Sequence, residues 1–68
     1  MRTFELFLDD DRYAAPAVVF VMAADEAGAR ARASEILLRS PHHLGVEVWS
    51  ARRRLFAIGR RPVPETVA

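Results

Sequence analysis

His42 and His43 are the only histidines in the chain, and imidazole is the side chain best suited to moving a proton near neutral pH or holding a transition metal. Either task needs an orienting carboxylate or further ligands converging on the ring, and the sequence supplies neither at a spacing that builds such a site. Asp9, Asp10 and Asp11 could chelate a hard cation. The run lacks the spaced oxygens and the downstream Glu of a calcium loop, so it reads as a solvated turn. Ser34, Ser40 and Ser50 stand in no nucleophile elbow. Gly28, Gly45 and Gly59 are isolated and form no phosphate-cradling loop. The one cluster with a binding chemistry is Arg52, Arg53 and Arg54, reinforced by Arg60 and Arg61 and flanked by Trp49 and Phe56. Guanidinium groups on a β-ribbon can contact phosphates while aromatic rings stack on exposed bases. The favoured reading of the same arginines, given the low net charge, is a solvated turn that keeps the hairpin soluble and its edges protected.

The elements that must position these residues follow from apolar periodicity. Thr3 to Leu8 alternates, with Phe4, Leu6 and Leu8 on one face and Thr3, Glu5 and Phe7 on the other, as in a half-buried strand. Pro16 opens a second strand, Ala17 to Met22, where its missing N–H costs least. Here Val18, Phe20 and Met22 occupy one face and Ala17, Val19 and Val21 the other, so both faces ask to be covered. A single short helix can cover only one of them.

That helix is predicted to start at Asp25, an N-cap residue with Glu26 in the first turn, and to stop by Ser40 because Pro41 biases its neighbour away from helical geometry. At 100° per residue, Ala27, Ala31, Ser34 and Leu38 form one stripe whose small side chains permit close approach to a sheet. A second stripe holds Ala29, Ala33, Ile36 and Leu37, with Glu26 and Arg30 between the two at ion-pair spacing. Asp25, Gly28, Arg32, Glu35 and Arg39 make the solvated arc. After a loop through His42 to Gly45, the runs Val46 to Trp49 and Leu55 to Ile58 alternate around a turn near Ala51, Arg52 and Arg53. This second hairpin lacks an Asn-Gly or Asp-Gly turn, which leaves its register open.

Composition bounds the rest. A chain of 68 residues holds one domain, buries only about 60% of the surface its unfolded form exposes, and gains from any partner surface. No cysteine is present, so neither a disulfide nor a thiolate metal site staples it. No run approaches the ~20 apolar residues of a membrane span and no leader pattern opens the chain, so a cytoplasmic location is expected. Every basic residue is Arg, with no Lys, Asn or Gln, the usage a GC-rich genome imposes. Residues 1–35 carry a net −3 and residues 36–68 a net +4, for a total of only +1. So small a total provides little sequence-independent attraction to phosphate.

The aromatic strand Phe4 to Leu8, the acidic turn Asp9 to Asp11, the Ala/Arg helix and the hairpin Val46-Glu47-Val48-Trp49 with Leu55-Phe56-Ala57-Ile58 resemble a group of short bacterial ββαββ domains. The resemblance spans residues 3 to 58 and implies the fold, with no activity attached. It departs at the second turn, where three arginines replace the usual Asp/Gly pair.

The sequence therefore predicts one ββαββ domain over residues 1–59, an α+β fold with one helix on a four-stranded, mainly antiparallel sheet, followed by an extended or disordered tail over 60–68. It predicts a noncatalytic binding or assembly module without cofactor or metal, acting as a homodimer. The expected interface draws on the uncovered sheet face, with Phe7, Val19 and Val21 or the opposite set, together with Trp49 and the helix stripe around Ile36. A further protein partner is compatible with this. The alternative is nucleic-acid binding through Arg52, Arg53, Arg54, Arg60 and Arg61.

Overall fold

The computed structural model describes residues 1–59, and the predicted tail, with Arg60 and Arg61, lies outside them. Within that range the chain forms β1 (Arg2–Asp10), β2 (Ala17–Ala23), α1 (Glu26–Leu38), β3 (His43–Ser50) and β4 (Arg53–Gly59). The strands make one antiparallel sheet in the order β2-β1-β3-β4, with α1 packed on one face. Since β1 runs antiparallel to both β2 and β3, those two strands are parallel to each other, and α1 is the crossover that carries the chain back to the starting end.

Register decides which side chains face the helix. Leu6 lies opposite Val19 on β2 and Val48 on β3, Phe4 opposite Val21, and Leu8 opposite Val46, while Val48 and Val46 lie opposite Phe56 and Ile58 on β4. This set, with Ala23, Ala29, Ala33 and Leu37, is the core. The strands extend beyond their apolar runs because backbone pairing continues into flanking polar residues. β1 takes in Asp9 and Asp10, and β3 begins at His43, inside the stretch expected to be loop.

Helix α1 is capped as anticipated: the Asp25 carboxylate accepts the Gly28 N–H at 2.9 Å. Its sheet-facing stripe, however, is the other one. Ala29, Ala33 and Leu37 are buried and Ile36 packs beside them, whereas Ala27, Ala31 and Leu38 are exposed. Alanine surrounds this helix and gives no orientation, so the large residues decide, and Leu37 with Ile36 outweigh Leu38 alone. Gly28, assigned to the solvated arc, is half-buried; a Cβ there would stand 3.2 Å from the Ala23 Cβ. Arg30, expected beside Glu26, lies over the Phe56 ring at 4.1 Å and covers the β4 edge of the core.

The β3–β4 turn is a two-residue loop, since Ser50 pairs with Arg53 and both Ala51 (φ 52°) and Arg52 (φ 65°) adopt left-handed geometry. Positive φ at both central positions is the type I′ pattern, which favours Asn-Gly and costs roughly 1–2 kcal/mol per ordinary L-residue. The double substitution Ala51→Asn, Arg52→Gly is accordingly expected to raise unfolding free energy by about 1–2 kcal/mol in urea titration. An unchanged or lower midpoint would show that the turn carries no such strain.

Candidate functional site

Three places could carry function: the polar cluster at the His end of the sheet, the arginine hairpin, and the sheet face away from α1.

The first is built by the end of β1 meeting the α1–β3 loop. Asp10 shares the parity of Phe4, Leu6 and Leu8, so its side chain turns toward the helix layer and is only 4% exposed; it is not the solvated turn residue expected. Arg12 reaches back and donates from Nε to Oδ1 (3.0 Å) and from Nη2 to Oδ2 (2.7 Å), while its backbone N–H donates to Oδ1 (2.9 Å). These bonds, the guanidinium first, hold the Asp10 carboxyl well below the usual carboxylate range against the opposing effect of burial, and they raise the Arg12 pKa in turn. His43 donates from Nδ1 to the Ile36 carbonyl at 2.6 Å and turns Nε2 toward Asp10 at 3.6 Å. His42 Nδ1 lies 2.9 Å from Asp11 Oδ1, and the Asp11 N–H donates to the His42 carbonyl.

The fold thus does bring a carboxylate to each histidine, which the sequence did not indicate because the partners lie 31 or more residues away. The chemistry it builds is a clasp. Both Asp10 oxygens are taken by Arg12, His43 is anchored to the helix end, and the His42–Asp11 pair stands in solvent with its side chains about half exposed. Ser40 Oγ accepts the His42 backbone N–H, and Ser50 Oγ faces the Thr3 carbonyl at the opposite end of the sheet. Among the described residues no group of three or more His, Cys, Asp or Glu could hold a metal ion.

The clasp makes an acid-side prediction. Because the folded-state pKa of Asp10 is depressed, the stability it contributes is full above the ordinary value near 3.8 and is lost as pH falls below it. Asp10→Asn is expected to lower the thermal midpoint by several degrees at pH 7 and to shrink the further fall between pH 5 and pH 2. A variant with the parent's full acid sensitivity would remove Asp10 from that account.

In the hairpin, Arg52, Arg53 and Arg54 are all exposed, but the aromatics beside them are engaged. Trp49 meets Phe7 edge-on with ring centres 5.8 Å apart and donates from Nε1 to Glu47 at 3.0 Å. Glu47 also faces Arg54, at 4.0 Å. A shallow depression nearby, lined by Arg2, Glu26, Ser50, Ala51, Arg53 and Leu55, mixes both charge signs.

The third place is the open sheet face. Register puts Phe7 beside Val18 on β2 and Glu47 on β3, Glu5 beside Phe20 and Trp49, and Thr3 beside Met22. Val18, Phe20 and Met22 stand in a row, 48%, 66% and 60% exposed, next to the Phe7–Trp49 pair. The expected interface set is divided by this arrangement. Phe7 and Trp49 lie on the open face; Val21 is buried under α1, Val19 packs against the core, and Ile36 lies on the helix layer across the sheet. The opposite β2 set is the one presented. Parity within β2 was readable, but which parity joins Phe7 depends on the Ala17–Leu8 pairing set by the β1–β2 connection.

No helix among the described residues is long and apolar enough to cross a membrane. No family model matches the chain, and no curated protein or solved structure matches it.

Proposed function

We propose that this chain is a noncatalytic assembly module that works as a homodimer, joined through the β2 side of its open sheet face. The observation carrying the reading is the row Val18, Phe20 and Met22, three large apolar side chains exposed along one strand and continuous with Phe7 and Trp49. Apolar surface of that kind marks association sites, and a domain this small gains stability from covering it. Val18, Phe20 and Met22 make no contribution to the described core, so their chemistry is unexplained by folding alone.

Dimer formation makes thermal stability depend on protein concentration, because only the folded chain binds its copy. The midpoint is expected to rise over a hundredfold increase in concentration while light scattering reports the mass of two chains. A concentration-independent midpoint at the mass of one chain would end this reading.

Nucleic-acid binding through Arg52, Arg53 and Arg54 has less in its support. Trp49, the proposed stacking ring, packs on Phe7, and Glu47 places a carboxylate among the hairpin groups.

A further inference from the structure

The two edges of the sheet are unequally defended. β4 carries Arg53 and Arg54, is half-covered by Arg30 on Phe56, and has an irregular register with β3 at Val48/Trp49. Charges and bulges are the devices that keep an edge from pairing with another chain. β2, the opposite edge, has none of them: seven residues, Ala17–Ala23, without a charge, in unbroken register with β1.

Resting on the homodimer reading, we propose that β2 pairs antiparallel with β2 of a second copy about a two-fold axis at Phe20, fusing two four-stranded sheets into one. The occupant is indicated by the strand itself, because its residues Ala-Val-Val-Phe-Val-Met-Ala read nearly alike from both ends. Antiparallel pairing about Phe20 sets Ala17 against Ala23, Val18 against Met22, Val19 against Val21 and Phe20 against itself. Small side chains thus oppose small ones, as an isologous contact requires.

The faces agree as well. In this register Val18, Phe20 and Met22 meet the same exposed row of the copy and cover one another's flanks. Val19 and Val21 meet their counterparts on the helix layer, so the two cores become continuous. Neutrality means that no like charges are brought together across the axis.

The test is isotope-filtered NMR on a dimer mixed from differently labelled native chains, with the mass measured on the same sample. The expected result is the mass of two chains with Hα–Hα contacts between β2 strands of the two copies, at the Val18–Met22 pairs or at the Val19–Val21 pairs according to which set is not hydrogen-bonded, the signature of adjacent antiparallel strands. Amide exchange along the free edge of β2 should slow as concentration rises, and that of β4 should not. Two-chain mass with contacts only between side chains of Phe7, Phe20 and Trp49 would overturn edge pairing and leave the homodimer standing. The mass of one chain would overturn both.

Discussion

Phe4→Ala is expected to leave the chain unfolded at 25 °C. Phe4 is the largest fully buried side chain, 0% exposed on the sheet's helix face, where it lies opposite Val21 on β2 within the core cluster. Truncating a buried Phe costs about 3–5 kcal/mol through lost transfer energy and the cavity left behind. A single core in a domain below 70–80 residues rarely supplies more than roughly 3–5 kcal/mol, so the loss consumes the whole margin. Far-UV circular dichroism should show loss of the helix and sheet signals. Phe7→Ala, on the open face of the same strand, should keep them. If both variants stay folded, the helix face is not where stability resides.

The second large effect is expected from Phe20→Lys, and it concerns association. Phe20 is 66% exposed and its β1 neighbour is Glu5, so the introduced ammonium gains an opposite charge and the monomer keeps its fold. In the dimer the same substitution removes an aromatic ring from each copy and sets two cations near one axis. Losing partial burial of a Phe, roughly half of the 1.5–3 kcal/mol that full burial is worth, from each of two copies weakens the dimer by about tenfold or more. A lysine on an exposed strand is also the device by which natural sheets keep their edges single. Unchanged dimer affinity would move the interface away from β2.

Much of this architecture was legible because the periods were clean. Thr3 to Leu8 alternated, Asp25 and Pro41 bracketed the helix, and Pro16 marked the start of β2. What failed to show has specific causes. The orientation of α1 was hidden because Ala27, Ala29, Ala31 and Ala33 spread one residue type over most of the helix circumference, and packing settled it with Leu37. The open face is only half legible: the sequence makes β2 apolar on both sides, but a one-residue difference in register exchanges Val19 and Val21 for Val18, Phe20 and Met22. Asp10 reads as a turn residue although its parity matches Phe4, Leu6 and Leu8, and Arg12 two positions on is the signal that a buried carboxylate is paired. Its proximity to His43, like that of Asp11 to His42, is a product of tertiary structure that no local spacing encodes.

Sedimentation equilibrium at micromolar concentration on three chains tests the central claim most directly. Leu38→Lys is the companion to Phe20→Lys, because Leu38 is equally exposed but lies on α1, across the sheet from the open face, where a cation suits the helix C-terminus. The native chain and Leu38→Lys are predicted to sediment with the mass of two chains, and Phe20→Lys with the mass of one. A native chain that sediments as one, or a Phe20→Lys variant indistinguishable from it as a dimer, would contradict the assignment of the β2 face as the surface through which this protein assembles.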